Sequence, residues 1–415
     1  LSKQGGEPDV RQNALWKAAE LLREKNGLDH AVPLYRQFIK TYPEAFELVV
    51  EAYQILIDHA RKISDTAGYH DLLQKLVDFE KRQPMKRTER TRLLAARASL
   101  VLSEEAITGY HKIRLSLPLQ KSLPGKRAAL EKAIGALNAV VSYAEADTAT
   151  EATYRMAELY HDFADQLRNS PIPSGLSNIE QDQYRQILSS QAKPFMIQAI
   201  STHIINAERL RDGVYTPAVQ NSLDQLFSLY PVRYGKREKL PLNRAWLKDI
   251  VPDMAGQESL SKIMQWIRKG DHKKFAQALE NFMQTHPGSP AKSALELLFS
   301  LQKGLTSEAE SALKSMSKSK AYPSARIAFF TAILDRRKGL FKEAERNYIQ
   351  AIQEDDGFAE AYLNLGILYD LYLLDHKKAL QQYQKYLSFN DSDSPSVEIW
   401  IRDIRQQLAT LDKNV

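Results

Sequence analysis

Apolar residues recur three or four positions apart along most of this 415-residue chain, with polar and charged residues between them. This spacing gathers the apolar side chains on one face of an α-helix and differs from the alternation of a β-strand. Trp16, Ala19 and Leu22 form the first such stripe. With 17 glycines and 17 prolines, the chain is also poor in the residues that tight β-turns need. The pattern predicts an all-α protein.

A fixed period appears in the last third of the chain. Gly270, Gly304 and Gly339 are spaced 34 and 35 residues apart. Three further series keep that spacing: Ala309, Ala344 and Ala379; Leu279, Leu313, Tyr348 and Tyr383; Phe282, Met316, Ala351 and Tyr386. Self-similarity at one period of this length is the signature of a repeat array.

Each repeat is predicted to be a helix–turn–helix. Gly339 would occupy the turn, because a residue free to adopt positive φ allows the first helix to stop. Ala344 is small, as required where two helices approach closely. Tyr348 and Ala351 lie one turn apart on the second helix and would face the core.

The clearest copy covers 359–390. It carries Ala361-Tyr362-Leu363-Asn364-Leu365-Gly366, then Tyr369, Ala379, Tyr383 and Tyr386. This copy resembles the tetratricopeptide (TPR) motif, although Leu373-Leu374-Asp375 replaces the usual Gly-Asp and adds a residue to the turn. The resemblance implies a TPR-type helical-hairpin solenoid, an α–α superhelix that binds proteins or peptides.

The tail after the repeats is predicted to be a capping helix. Ser394-Pro395 offers an N-cap followed by proline at the first helical position. The apolar stripe of this helix is Val397, Ile401, Ile404 and Leu408. Its opposite face is polar, as the end of a solenoid requires.

The first part of the chain repeats the hairpin pattern more loosely. Gly27-Leu28 would form the first turn, and Ala31, Tyr35 and Phe38 follow with TPR-like spacing. Two further helix pairs are predicted, one at 46–61 and 69–81 and a weaker one within 88–113.

The middle is predicted to be helical but off this period. Helices are expected at 126–144, 150–167, 178–211 and 216–230, with Ser177 and Glu180 as a capping box. A basic segment punctuated by prolines, 231–252, reads as a hinge. The predicted segments are 1–120 (TPR-like hairpins), 121–245 (irregular long helices), 246–256 (hinge) and 257–415 (repeats with the cap).

The middle also resembles a segment of certain bacterial envelope TPR proteins, which accompany Tol/TonB-type energy-transduction complexes or gliding-motility machinery. The resemblance covers about 90–245 and rests on four short matches: Ser170-Pro171-Ile172-Pro173, Tyr184-Arg185-Gln186-Ile187-Leu188, Lys193-Pro194-Phe195 and Leu229-Tyr230-Pro231-Val232-Arg233-Tyr234. It implies a periplasmic protein or outer-membrane lipoprotein that acts as an adaptor.

Composition narrows the function further. The chain has no cysteine, which excludes disulfides, cysteine zinc sites and thiol nucleophiles. The net charge of +6 is small for this surface, so nucleic-acid binding is not predicted. No apolar run reaches the roughly 20 residues that span a bilayer. Because the chain begins at Leu1 with a polar leader, we expect a processed N-terminus; membrane attachment is expected only through a lipid anchor absent from this chain.

Several short stretches have a partial likeness to motifs of catalysis or of metal binding. The nine histidines form no His-Glu-x-x-His, and His161-Asp162 reads as a surface pair. Gly125-Lys126-Arg127 lacks the upstream glycine and the hydroxyl of a phosphate loop, and Asp391-Ser392-Asp393-Ser394 lacks the glycine and glutamate of a calcium loop. The basic clusters at 86–92, 233–239 and 336–338 read as solvated faces and turns. We therefore predict no enzyme, no cofactor and no metal.

The predicted function is a non-catalytic protein-interaction scaffold of the bacterial envelope with a protein or peptide partner. Its binding surface would be built by the first helices of successive repeats. The candidate residues are Arg326, Phe329, Phe330, Ile333 and Arg337 on one helix, and Leu363, Asn364, Ile367 and Asp370 on the next. These side chains can instead simply cover the neighbouring helix.

Two alternatives remain open at this point. One is a cytoplasmic TPR regulator of a protein or nucleic-acid partner, and the other is an envelope hydrolase with a helical active site. We also expect 257–415 to fold alone, since its four hairpins exceed the roughly three repeats that an array needs.

Overall fold

The computed structural model describes residues 8–241, 251, 254–389 and 394–411. Every regular element among these residues is helical, which confirms the predicted all-α class. The chain divides into two compact units, residues 1–209 with 214–226 and residues 210–213 with 227–415. The four predicted segments stay predictions, and 246–250, 252 and 253 of the expected hinge lie outside the described residues.

The first unit consists of nine described helices. They are α1 (Pro8–Asn26), α2 (Leu28–Thr41), α3 (Phe46–Lys62), α4 (Thr66–Lys81), α5 (Glu89–Lys112), α6 (Leu119–Val141), α7 (Ala146–Arg168), α8 (Asn178–Glu208) and α9 (Pro217–Leu229), whose last three residues fall in the second unit. Short 3-10 turns cover Pro84–Lys86 and Arg209–Asp212.

The first four helices of the first unit form two hairpins. α1 and α2 meet at Gly27 with φ of 88°, and α3 and α4 meet at Ser64 with φ of 59°. The core beneath them contains Tyr35 and Val50, both fully buried. Left-handed backbone is less favourable for a residue with a side chain than for glycine. The turn at Gly27 therefore has a lower conformational free-energy cost than the turn at Ser64.

The third predicted pair was wrong. Residues 89–112 form the single helix α5, which packs against α6. A capping box between Thr88 and Thr91 starts this helix, and no glycine or proline interrupts it before Gly109. The predicted capping box further on is present, since the Ser177 amide donates to the Glu180 carboxylate over 2.8 Å and opens α8.

The second unit holds the repeats. Its helices are α10 (Pro231–Tyr234), α11 (Met254–Lys269), α12 (His272–Thr285), α13 (Ala291–Lys303), α14 (Thr306–Ser317), α15 (Ser324–Arg337), α16 (Phe341–Glu354), α17 (Ala359–Ile367), α18 (His376–Leu387) and α19 (Ser394–Leu411). The pairs α11/α12, α13/α14, α15/α16 and α17/α18 are the four predicted hairpins. A π-helical turn, Leu368–Tyr372, extends α17.

The turns of these hairpins keep the predicted period. Gly270, Gly304 and Gly339 all have positive φ, at 62°, 76° and 79°. The fourth turn places Leu374, 35 residues after Gly339, in the same left-handed region with φ of 53°. The sequence showed a departure from Gly-Asp here, and the structure shows that leucine adopts the conformation that glycine has in the other turns.

The repeated apolar series form one core. Ala309, Ala344 and Ala379 are fully buried, as small residues at close helix contacts should be. Leu279, Leu313, Tyr348, Tyr383, Phe282, Met316, Ala351 and Tyr386 are all buried in the same cluster. The capping helix α19 adds its predicted stripe, with Val397, Ile401 and Ile404 buried and Leu408 packed against them.

None of the helices in the described part of the chain is both long and apolar enough to cross a membrane.

Gly366 gives a test of this packing. A Cβ at Gly366 would lie 2.6 Å from two ring carbons of the buried Tyr383. We therefore expect Gly366→Ala to lower the free energy of unfolding by about 1–3 kcal/mol, the usual cost of overpacking. Urea denaturation followed by circular dichroism measures this difference.

The matched control is Gly135→Ala in α6, where an added Cβ meets nothing within 4 Å. That variant should gain about 0.5–1 kcal/mol, because alanine loses less backbone freedom on folding than glycine. Equal effects of the two substitutions would contradict the close contact at Gly366.

Candidate functional site

The segment at the start of the predicted 231–252 region packs on the repeats of the second unit. We call residues 230–241 the strap. It begins with the single helical turn of α10 and continues without regular structure from Gly235 to Pro241. Tyr234 and Leu240 pack against the repeat core.

Asn364 of α17 binds the backbone of the strap. The Lys239 amide donates to Asn364 Oδ1 over 2.8 Å, and Asn364 Nδ2 donates to the Lys239 carbonyl over 3.1 Å. Asn364 is fully buried. Because both bonds go to main-chain atoms, this asparagine binds the strap independently of the side chain at position 239.

Asp370, in the π-helical turn after α17, binds two cations of the strap. Arg233 Nη1 donates to Asp370 Oδ1 over 2.5 Å, and Lys236 Nζ donates to Asp370 Oδ2. Tyr383 also donates to Oδ2, over 3.1 Å. Asp403 of α19 lies 3.8 Å from Arg233 and 3.6 Å from Lys236. These residues form a buried ion cluster in which two carboxylates face two cations.

The strap contributes a carboxylate as well as cations. Glu238 accepts from Arg336 of α15 over 2.5 Å and from the Tyr348 hydroxyl of α16 over 2.8 Å. Burial alone would lower the pKa of Arg336, but the Glu238 carboxylate outweighs it and raises that pKa well above its ordinary value. The repeats thus present one anionic and one cationic contact to the strap.

Burial and the neighbouring charges shift the pKa of Asp370 in opposite directions. Burial would raise the pKa of Asp370, but Lys236 and Arg233 outweigh it and hold the pKa below its ordinary value. The Asp370 carboxylate is therefore ionised at neutral pH. Without its cations, an ionised carboxylate at this depth would cost several kcal/mol.

His376, the first residue of α18, joins the cluster as an acceptor. Its Nε2 lies 3.1 Å from Arg233 Nη2, and since a guanidinium only donates, this ring nitrogen must be unprotonated. Burial and the neighbouring Arg233 lower the pKa of His376. The neutral imidazole is thus part of the site.

The candidate residues of α15 do not line an open groove. Phe329, Phe330 and Ile333 are fully buried in the repeat core. The Arg326 guanidinium stacks 3.6 Å from the Phe358 ring centroid. Arg337 donates to the Leu301 carbonyl over 2.7 Å and so binds the end of α13.

The candidate residues that follow are covered by the chain itself. Leu363 and Ile367 belong to the repeat core, whereas Asn364 and Asp370 are the two that touch the strap. The structure brings these last two together in one site. Partner binding by the nine candidate residues stays a prediction.

The expectation that the basic cluster at 233–239 is solvated was wrong for Arg233 and Lys236. Both are buried, and their carboxylate partner lies more than 130 residues away in the sequence, so no local pattern could show the pairing. Glu238 and Asp403 were also missed as site residues. The available signal was Asp370 itself, a carboxylate on an otherwise apolar helical stretch.

Lys126 of the phosphate-loop-like run and His161 make ordinary contacts within the fold. Lys126 is buried in α6, with Nζ 3.4 Å from the Tyr110 ring centroid and donating to the Tyr110 carbonyl over 2.9 Å. His161 lies 3.3 Å from Asp165 rather than pairing with Asp162. Residues 391–393 of the dismissed calcium-loop fragment lie outside the described residues.

A polar group in the first unit bears on the hydrolase alternative. His203 lies 3.3 Å from Ser222 Oγ and 3.5 Å from Glu158. A histidine between a carboxylate and a serine is also the arrangement of a catalytic triad. However, Ser222 and His203 are fully buried, and Asn206 donates to Ser222 Oγ over 2.9 Å. A nucleophile must reach its substrate, so this group acts as a polar core contact.

No grouping of three or more histidines and carboxylates able to hold a metal ion occurs in the part of the chain that the structure describes.

Comparisons with known proteins identify no family. No protein-family model and no curated protein matches the chain. The chain is similar to the yeast Tom70, with 12% identity, 97% of each chain covered and a TM-score of 0.29. It is also similar to the TPR domain of P58(IPK), with 14% identity, 97% of this chain and 99% of that chain covered and a TM-score of 0.29.

A circular tandem repeat protein with a novel repeat topology has 12% identity, with 98% of this chain and 90% of that chain covered and a TM-score of 0.21. Scores this low carry no argument about function. The assignment to helical hairpins of the TPR type rests on the helices, the turns and the period of this chain.

The ion cluster predicts that Asp370→Asn changes the free energy of unfolding by a large amount that depends on pH. The variant keeps the size of the side chain and removes the charge that pairs with two buried cations. We expect the free energy of unfolding at neutral pH to fall by about 3–5 kcal/mol. Chemical denaturation of both proteins measures the difference.

Wild type and Asp370→Asn also test how the stability contributed by Asp370 changes with pH. Because the pKa of Asp370 is lowered in the fold, its stabilisation is present above the unfolded-state pKa of about 3.9 and is lost as pH falls through the folded value. The gap between variant and wild type should therefore shrink below about pH 4. A gap that stays constant down to pH 3 would contradict an ionised Asp370.

His376 should add a second, milder acid sensitivity. In the unfolded chain a histidine takes a proton near pH 6.5, whereas the lowered pKa of folded His376 delays protonation. Stability should therefore fall as pH drops below about 6.5 toward the folded pKa. In His376→Gln, whose amide oxygen accepts the same hydrogen bond, that slope should disappear.

His272→Gln, at an exposed position of the same unit, is the matched control. Denaturation curves between pH 7.5 and about pH 5 compare the three proteins. If His376→Gln kept the wild-type slope, the acceptor role of His376 would be wrong.

Proposed function

We propose that this protein is a non-catalytic interaction scaffold whose C-terminal repeats bind an extended segment of a protein partner. The observation that carries the proposal is the pairing of Asn364 with both main-chain groups of Lys239. The repeats thereby hold a stretch of backbone without regular secondary structure, which is the physical task of a peptide-binding groove.

The charged contacts support the same function. Asp370 and Arg336 lie on either side of Asn364 in sequence, and each binds an opposite charge of the strap. Backbone pairing supplies attraction that is independent of sequence, while such charge pairs discriminate between segments. A groove with both features can select one partner among many extended chains.

We further propose that the scaffold works in the bacterial cell envelope, as a periplasmic or outer-membrane-associated adaptor. Support comes from the four short matches in 170–234 to envelope TPR proteins that accompany Tol/TonB-type or gliding-motility systems. A link to such a complex is part of the proposal.

The nucleic-acid alternative is weakened by where the basic cluster lies. Arg233 and Lys236 are buried against Asp370, so they offer no charge to a phosphate backbone. A nucleic-acid-binding regulator would need exposed cations aligned on one face.

Reciprocal capture tests the scaffold. The tagged chain is crosslinked in its source bacterium, purified from envelope and cytoplasmic fractions, and the recovered protein is then tagged and used as bait in turn. We expect one partner that recovers this chain in the reverse experiment, with both in the envelope fraction. Recovery of this chain without a protein partner, or of nucleic acid with steep salt dependence, would contradict the proposal.

A variant pair connects the capture to the repeats. Asn364→Ala removes the two backbone bonds and should reduce the recovered partner several-fold. Gln350→Ala, at an exposed position of α16, is the matched control and should leave recovery unchanged. Equal recovery by both variants would place binding on another surface.

A further inference from the structure

We infer that the strap is an internal competitor, which occupies the groove until a partner segment of the same charge pattern displaces it. The partner would present an Arg-x-x-Lys-x-Glu segment, a pair of cations three residues apart with a carboxylate two residues further on. This inference rests on the proposed function and specifies the chemistry of its partner.

The spacing of Arg233 and Lys236 matches the position of the Asp370 carboxylate that both side chains bind. Arg233 and Lys236 reach the two oxygens of one carboxylate, that of Asp370, and both lie within 4 Å of Asp403. Arg233 lies in the single helical turn α10, and Lys236 follows two residues after that turn ends. Two cations three residues apart at the end of such a turn therefore pair with both carboxylates together.

The carboxylate of the pattern has its own contact. Glu238 accepts from Arg336 over 2.5 Å and from Tyr348 over 2.8 Å. The Arg336 side chain is only 17% exposed, so an incoming chain without an acid at this position would leave a largely buried guanidinium without its counter-charge. The groove therefore rejects purely basic segments as well as acidic ones.

The backbone contact does not depend on side-chain identity. On the strap, Asn364 bonds the amide and the carbonyl of Lys239, and any residue except proline offers the same two groups. Side-chain specificity comes from the three buried charge contacts at the positions of Arg233, Lys236 and Glu238, to which the Lys239 ammonium adds a bond to the Tyr386 hydroxyl over 3.2 Å.

Exchange of one segment for another can be nearly balanced in energy. A partner segment of the same pattern would restore each buried ion pair that the strap gives up, so no charge is left buried and unpaired. A buried ion pair adds little net stability, because the cost of desolvating both ions offsets their attraction. The strap also keeps Tyr230 and Val232 largely exposed at its start, where displacement can begin.

The strap has the advantage of its covalent attachment. A tethered segment competes at an effective concentration on the order of millimolar. The apparent dissociation constant of a partner rises in inverse proportion to the fraction of molecules with an open groove. Weakening the strap should therefore strengthen binding in trans, which is opposite to what loss of an ordinary structural contact would do.

The experiment measures binding of a fluorescein-labelled peptide of residues 230–241 to the full chain by fluorescence anisotropy. Two release variants, Arg233→Gln with Lys236→Gln and the single Glu238→Gln, are compared with wild type. Folding of each is checked by circular dichroism, and if the double variant does not fold, Glu238→Gln carries the test. We expect each folded release variant to bind at least about 10-fold more tightly than wild type.

Two controls define the charge pattern. A peptide with glutamate at the positions of Arg233 and Lys236 should not bind, and Asp370→Asn added to a release variant should abolish binding of the original peptide. A folded release variant that binds no better than wild type overturns the strap inference, even where whole-partner capture succeeds. Peptide binding as expected, with reciprocal capture finding no partner, would instead contradict the scaffold proposal alone.

Discussion

The arrangement of the second unit depends on a single constraint, that the fully buried carboxylate of Asp370 must be paired. A charge at this depth persists only if opposite charges and donors surround it. Arg233, Lys236 and Tyr383 supply them, and His376 accepts a hydrogen bond from Arg233 Nη2. Because the two cations come from the strap, pairing Asp370 also fixes the strap against the repeats.

Repeat geometry places the groups that bind the strap. Asn364 and Asp370 lie on the first helix of the fourth hairpin and its π-helical extension, and Arg336 lies on the first helix of the third. The turns behind them have left-handed backbone, at Gly339 in one hairpin and at Leu374 in the other. The same helical stacking that buries the tyrosines of the second helices thus aligns an asparagine and two charges along the path of the strap.

Local patterns predicted the fold well, because the period of the glycines, alanines and tyrosines is set by contacts within one hairpin and its neighbour. The uninterrupted α5 was misread, since apolar spacing alone does not show where one helix ends and another begins. Asn364 and Asp370 were found as candidates from their place on a first helix. The strap was missed because Arg233 and Lys236 look like an ordinary basic turn, and only the three-dimensional structure brings them to Asp370.

Amide hydrogen exchange at Lys239 in the unmodified full chain tests the central claim most directly. This amide lies in a stretch without regular secondary structure, and its acceptor is the side chain of Asn364, 2.8 Å away. If the repeats hold the strap, the Lys239 amide should exchange as slowly as amides within α17, and Asn364→Ala should remove that protection. Exchange at the rate of an unstructured peptide in the wild-type chain would contradict the account.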